Sequence, residues 1–218
     1  MGALRAGRIE LTPAAMSRLP RHVVIDGFLP AELHDALVAQ TLGREEAFKR
    51  STMREGCADV HGEARKSWVN DAELGELEAP FEASVRAALP SIFEGLGIEP
   101  FDPAKIELEV SAHRDGDFYR PHVDTFHSED RAGRKTDRVV TAVYYFHAQP
   151  RAFTGGEFRI HPFGGVGEPV TIDAEDNRLL AIPAFALHEV RPIACENGEF
   201  RSSRFAVNAW VHRVRPAQ

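Results

Sequence analysis

Two histidines and one aspartate in the second half of the chain could together bind a metal ion. His122 and Asp124 stand one residue apart, and His188 follows later in the chain. On a β-strand, side chains two residues apart project from one face, so a ligand from another strand could complete a triangular set. Two imidazoles and one carboxylate suit Fe(II) and leave positions open for a chelating anion and oxygen, which indicates oxidative chemistry. A chain with 10 histidines also produces such a pair by chance, so the metal site needs support from the rest of the sequence.

Arg204 is the second residue with chemical significance. It opens the segment 204–212, whose apolar residues indicate a strand buried on both faces, with Arg204, Asn208 and Trp210 on one of them. A buried guanidinium needs an anion, because burying it alone costs several kcal/mol. The partner is either an Asp or Glu of the chain or the carboxylate of a dicarboxylic cosubstrate, and the metal candidates upstream favour the cosubstrate.

Six elements in this order resemble the iron(II)- and 2-oxoglutarate-dependent dioxygenases, and within them the prolyl-hydroxylase-type branch. They cover about half the chain, residues 104–213, and are His122 with Asp124, Val143–Phe146, Gly155–Glu157, Arg178–Pro183, His188–Pro192 and Arg204. The resemblance implies that His122, Asp124 and His188 bind iron. It also implies that Arg204 holds the distal carboxylate of 2-oxoglutarate, assisted by Tyr145.

Three aromatic positions refine this assignment. Strand alternation favours Tyr145 as the inward phenol and Tyr144 as a core aromatic residue, although a shift of one residue would exchange them. Tyr119, three residues before the first histidine, is a candidate for the substrate side. Related prolyl hydroxylases often carry a tyrosine nine residues before that histidine, where this chain has His113. The contacts of the cosubstrate or substrate at this position are therefore open.

The resemblance implies hydroxylation of an unactivated C–H bond, with 2-oxoglutarate converted to succinate and CO2. Relatives that halogenate lack the ligating carboxylate, whereas Asp124 is present here. A zinc hydrolase is the second interpretation of the ligands, but no His-Glu-x-x-His motif supports it. The expected substrate is a prolyl or other residue of a protein or peptide, with molecular oxygen as a further substrate and ascorbate as a candidate reductant. The alternatives are hydroxylation of a free amino acid or small molecule, and a low-turnover module that senses 2-oxoglutarate or oxygen.

Composition agrees with one catalytic domain over residues 1–218. The chain is 43% hydrophobic and 27% charged, which is ordinary for a globular protein. Its net charge of −7 argues against a nucleic-acid substrate. Two distant cysteines, the lack of an apolar signal core at residues 1–5 and the lack of a membrane-spanning run predict a cytoplasmic protein.

The predicted fold class is mainly β with flanking helices (α+β). A short strand at residues 22–26, a helix from Phe28 onward and an amphipathic region from Asn70 to Leu96, kinked or divided at Pro80 and Pro90, predict helical support over residues 1–103. Residues 104–213 are expected to form a double-stranded β-helix, a cupin-like jelly roll, with the helices packed outside. Its eight predicted strands are Ile106–Ala112, Tyr119–Asp124, Val139–Phe146, Gly156–Ile160, Pro169–Ile172, Arg178–Ile182, His188–Pro192 and Arg204–His212.

Two polar segments are predicted to border the mouth of the site. They are residues 44–70 and the charged loop 126–138, which either move as a lid or are simply solvated. The candidate substrate contacts within them are Arg54, Trp68 and Arg134. Gly155 and Gly156 indicate a close backbone approach at the rim, with a plain turn as the alternative.

Overall fold

The computed structural model describes residues 19–51, 64–70, 74–126, 131–195 and 197–216. Two α-helices lie in the first half of the chain, α1 (Ala31–Leu42) and α2 (Glu78–Leu96). Fourteen strands are assigned among these residues, β1 (Val23–Asp26), β2 (Phe48–Arg50), β3 (Arg65–Lys66), β4 (Trp68–Asn70), β5 (Lys105–His113), β6 (Phe118–His122), β7 (Thr136–Phe146), β8 (Phe153–Gly155), β9 (Phe158–Ile160), β10 (Val170–Ile172), β11 (Arg178–Pro183), β12 (His188–Val190), β13 (Ile193–Cys195) and β14 (Arg204–Val214).

The strands form a large and a small antiparallel sheet that face each other. The large sheet has the order β1-β11-β7-β14-β5-β4-β2, and the small sheet has the order β10-β9-β12-β6-β3. A two-stranded ribbon of β13 and β8 adds to them. The strands of the second half of the chain thus form the predicted jelly roll.

The large sheet has a core on each of its two faces. Side chains on β7 alternate, so Tyr144 belongs to the core shared with the helices, whereas Val143 and Tyr145 belong to the core shared with the small sheet. Helix α2 covers the outer face with a buried stripe of Phe81, Val85, Leu89, Ile92, Phe93 and Leu96. The helices therefore pack on the outside of the large sheet, as the sequence predicts.

Helix α2 differs from its predicted form at its start and in its interior. It is one helix that contains Pro90. It begins at Glu78 and not at Asn70, because Asn70 lies in strand β4. Its end agrees with a Gly cap, since Gly97 adopts φ +66° and the N–H of Ile98 donates to the carbonyl of Phe93. Burial of its apolar stripe offsets the cost of a proline in the interior.

The segment before residue 104 is more than helical support. Strands β1, β2 and β4 extend the large sheet, and β3 lies at the edge of the small sheet. Strands β2 to β4 have only two or three residues each, too few to show an alternating pattern in the sequence. Of the described helices, none combines the length and apolarity needed to cross a bilayer.

The packing of α2 can be tested at Phe81. Its ring is 1% exposed and contacts the rings of Phe28 and Tyr144. We expect Phe81→Ala to lower the free energy of unfolding by about 3–5 kcal/mol in urea denaturation. Glu82→Ala is the matched control, since it removes only a surface pair with Arg86 and should change stability by less than about 1 kcal/mol. Equal effects of both substitutions would contradict this packing.

Candidate active site

The three predicted metal ligands meet at one end of the space between the sheets. His122 ends β6 and His188 begins β12, and the two residues are direct partners in the antiparallel ladder. Asp124 lies just past the end of β6, where its backbone N–H donates to the carbonyl of Ala184 at 2.9 Å. One ligand atom from each of the three side chains lies within 4.8 Å of the others. The ladder and this loop contact together create the cluster.

Both imidazoles present Nε2 to the centre of the cluster. His122 Nδ1 lies 2.8 Å from the carbonyl oxygen of Arg120, and His188 Nδ1 lies 2.8 Å from that of Ala186. A carbonyl only accepts, so Nδ1 carries the proton and Nε2 keeps its lone pair for a metal. Burial, and then His188, lower the pKa of His122, which keeps the imidazole neutral and available as a ligand.

Asp124 is held from the opposite sheet. Thr141 on β7 donates a hydrogen bond from its hydroxyl to Asp124 Oδ2 at 2.7 Å. The carboxylate oxygens lie 3.8 Å from His122 Nε2 and 3.6 Å from His188 Nε2. Burial alone would raise the pKa of Asp124, but the two histidines and the Thr141 bond outweigh it and lower the pKa. The donor set is thus two imidazoles and an ionised carboxylate, which fits a divalent iron ion.

Arg204 lies at the other end of the same pocket and is 1% exposed. Its guanidinium carbon stands 4.7 Å above the ring of Tyr145. Among the described residues no carboxylate lies within ion-pair distance of Arg204, and its Nε has no hydrogen-bond partner. The hydroxyl of Tyr145 is buried and also lacks a partner there, and burial raises the pKa of this phenol to about 12. These donors fit an acidic ligand that the described residues do not supply.

Two glycines allow a close approach to neighbouring segments, and one of them lies beside the arginine. A β-carbon on Gly155 would collide with the carbonyl oxygen of Pro192, and one on Gly156 would stand 2.7 Å from a side-chain carbon of Ile193 and 3.0 Å from Cδ of Arg204. Both glycines have φ +73°, which side chains rarely tolerate. The close approach, rather than a plain turn, explains this pair of glycines.

Residues between the two ends form the remaining pocket wall. The ring of Tyr119 stacks on that of His122 at 3.4 Å, and Arg65 lies 5.2 Å above Tyr119. Arg65 also pairs with Glu109 at 2.7 Å. The sequence did not single out Thr141 as a partner of Asp124, nor Arg65, Glu109 and Ser111 as pocket residues; the full lining is Arg65, Glu109, Ser111, His113, Tyr119, His122, Asp124, Thr141, Val143, Phe158, His188, Val190, Arg204, Ala206, Asn208 and Trp210.

Two of the candidate substrate contacts do not line this pocket. Trp68 pairs with Ala112 in the ladder, so its ring faces the outer core and lies near the guanidinium groups of Arg50 and Arg114. Arg134 covers the ring of Phe126 at 3.9 Å. Short strand β4 gave no register from which the face of Trp68 could be assigned in the sequence, and its role in substrate contact stays a prediction. Arg54 lies outside the described residues.

The comparison with known families agrees with this geometry. Residues 108–212 match the family model of the 2OG-Fe(II) oxygenase superfamily. An uncharacterized PKHD-type hydroxylase of Synechocystis sp. is 30% identical over 197 residues, which are 87% of this chain and 62% of that protein. The chain therefore spans somewhat less than two thirds of this relative.

Solved structures share the fold. A Pseudomonas putida prolyl-4-hydroxylase superposes with a TM-score of 0.63 at 24% identity, covering 89% of this chain and 93% of that one. A Trichoplax adhaerens prolyl hydroxylase, solved with a peptide fragment of the hypoxia inducible factor oxygen degradation domain, gives a TM-score of 0.62 at 20% identity, covering 88% and 83%. At these identities the likeness concerns the fold alone.

The contact between Thr141 and Asp124 can be tested on metal affinity. Thr141→Val keeps the shape of the side chain but removes the hydroxyl donor, so we expect Fe(II) or Zn(II) to bind roughly 10- to 100-fold more weakly in competition with a chelator. Thr141→Ser retains the donor and serves as the control. Equal metal affinity of the Val and Ser variants would show that this bond does not orient the carboxylate.

Proposed function

We propose that the chain is an Fe(II)- and 2-oxoglutarate-dependent dioxygenase, because residues 108–212 match the family model of the 2OG-Fe(II) oxygenase superfamily. Its reaction would hydroxylate an unactivated C–H bond of a prolyl or other residue in a protein or peptide. The observation that carries the proposal is one pocket with a ligand triad, His122, Asp124 and His188, at one end and the buried Arg204 at the other, where no described carboxylate pairs with it.

At the metal end, the ligand side chains would need little rearrangement to bind the ion. The hydrogen bonds from Nδ1 of the two histidines fix both ring planes, and Thr141 fixes the carboxylate. When bound, iron and 2-oxoglutarate supply the oxidising chemistry, with succinate and CO2 as coproducts. The protein contributes orientation, charge and exclusion of water.

The cosubstrate end would be built by Arg204 and Tyr145. A guanidinium can hold a carboxylate through two parallel charge-assisted hydrogen bonds, and the Tyr145 hydroxyl can donate a third. Since both groups are buried, these bonds would form away from competing water. A ligand with a carboxylate at one end and a metal-chelating 2-oxo acid at the other satisfies both ends of the pocket.

The rest of the pocket favours an uncharged target group. Arg65 is paired with Glu109 at 2.7 Å, and Arg138 near Trp210 is paired with Glu107 at 2.6 Å. Charges that are already paired offer little to the ammonium and carboxylate of a free amino acid. A residue within a polypeptide carries neither charge, and the peptide bound to the Trichoplax adhaerens relative is of this class. The alternatives are a free amino acid or small molecule and a sensing module with low turnover.

The metal and cosubstrate assignment is tested without a substrate. Under anaerobic conditions, addition of Fe(II) and then 2-oxoglutarate should produce a visible charge-transfer absorption, because the 2-oxo acid chelates the iron. His122→Ala should not produce it, since it lacks one ligand. Folded wild-type protein without this absorption would overturn the proposed function.

The substrate class is tested by coupled product formation. With Fe(II), oxygen and ascorbate as the proposed reductant, a proline-containing peptide library should yield succinate and hydroxylated peptide in equal amounts, measured by mass spectrometry. Asp124→Ala should abolish both products, and Arg204→Ala should raise the 2-oxoglutarate requirement strongly. Hydroxylation of free proline but not of peptides would favour the small-molecule alternative, and succinate without any hydroxylated product would favour the sensing module.

A further inference from the structure

His113 lies beside Arg204, the buried cation of the pocket. It is the direct ladder partner of Arg204 on strand β5, is 4% exposed and lines the pocket. Related prolyl hydroxylases often have a tyrosine at this position, so its role cannot be taken from them. The inference drawn from it rests on the proposed function.

Its contact with Arg204 determines which ring nitrogen carries the proton. Arg204 Nη1 lies 3.2 Å from His113 Nδ1. A guanidinium only donates, so Nδ1 must accept and the proton of the neutral ring must be on Nε2. Burial, followed by the charges of Arg204 and Arg65, holds the pKa of His113 well below its usual value, in agreement with a neutral ring.

The Nε2–H of His113 is then a buried donor that has no acceptor among the described residues. Four other groups in the described structure share this condition and lie near it or line the same pocket, namely Arg204 Nε, the Tyr145 hydroxyl, the Ser111 hydroxyl and Trp210 Nε1. A group that only accepts hydrogen bonds can satisfy an arginine N–H, the ring N–H of a neutral histidine and an unpaired hydroxyl. A carboxylate is such a group, with about four acceptor sites.

We propose that His113 is a third binding residue for the distal carboxylate of 2-oxoglutarate. Its Nε2–H donates to a carboxylate oxygen, while its Nδ1 keeps the Arg204 fork turned toward the ligand. A neutral imidazole adds a donor without adding charge, so the single positive charge of Arg204 still matches the single negative charge of that carboxylate. His113 thereby selects a dicarboxylic 2-oxo acid over a monocarboxylic one.

Two substitutions separate the functions of the two ring nitrogens. Asn at position 113 places a polar atom near the Nδ1 position and keeps the acceptor for Arg204, but it does not reach the Nε2 position. Gln places its amide N–H near Nε2 and keeps the donor for the carboxylate. The two variants are similar in polarity and both are neutral, which makes them a matched pair.

The affinity of the full chain is measured by calorimetry with Zn(II) in place of iron, so that no turnover occurs. The two probes are 2-oxoglutarate and 2-oxobutyrate, which has the same chelating head without the distal carboxylate. We expect His113→Asn to weaken 2-oxoglutarate binding roughly 10- to 100-fold and to leave 2-oxobutyrate unchanged, because a hydrogen bond to a charged group is lost. His113→Gln should recover most of the lost affinity.

Several results would overturn the inference. His113→Asn with unchanged 2-oxoglutarate affinity, or with equal losses for both probes, would assign His113 a purely structural role. Nitrogen-15 NMR of the Zn(II)-loaded wild type decides the matter even if the variants fold poorly. A proton on Nε2 whose resonance shifts with 2-oxoglutarate but not with 2-oxobutyrate is expected, and a proton on Nδ1 would contradict it. Failure of the wild type to bind 2-oxoglutarate at all would overturn the proposed function as well.

Discussion

The site depends on one cation that the fold buries without giving it an anion from the described chain. A guanidinium at 1% exposure loses nearly all its hydration, and burial lowers the pKa of Arg204, though not enough to discharge an arginine. The surroundings compensate only in part, through the face of Tyr145 and the acceptor nitrogen of His113. The remaining electrostatic cost is recovered only when an anionic ligand enters. Gly156 borders the arginine stem, where a β-carbon would lie 3.0 Å from Cδ of Arg204.

Each of the two sheets carries a different part of the site. The small sheet carries His122 and His188 on adjacent strands, so their pairing alone brings the two imidazole rings to 4.1 Å. The large sheet carries Arg204 and Tyr145. Strand β7 connects the two ends, because Thr141 contacts Asp124 and Tyr145, four residues later on the same face, contacts Arg204. Four residues of extended strand correspond to about 13 Å, which sets the separation of the two ends.

The sequence predicts the roles of residues that can be assigned from their neighbours along the chain. It does not predict contacts that depend on how the strands pair. His122 and Asp124 are close in the chain, and the long alternating strands β7 and β14 assign Tyr145 and Arg204 to inner faces. The bond from Thr141 to Asp124 and the contact of His113 with Arg204 join residues 17 and 91 positions apart. Such contacts appear only once strand pairing is known. Trp68 shows the same limit, since a three-residue strand does not reveal which face its side chain occupies.

Electrostatics also favours an order of binding. Without a metal, the ionised Asp124 and the cation Arg204 cancel, so the pocket as a whole has little attraction for a dianion, and Asp124 repels the chelating end directly. A divalent ion would replace this repulsion with attraction. The pocket would then have a positive charge that matches a dicarboxylate. Because the pocket is buried, these interactions are screened little by solvent or salt. A bound metal would therefore prepare the chelating end of the pocket, and Arg204, held by His113 and Tyr145, would prepare the distal end. A ligand that meets only one of these two conditions would leave the other charge uncompensated.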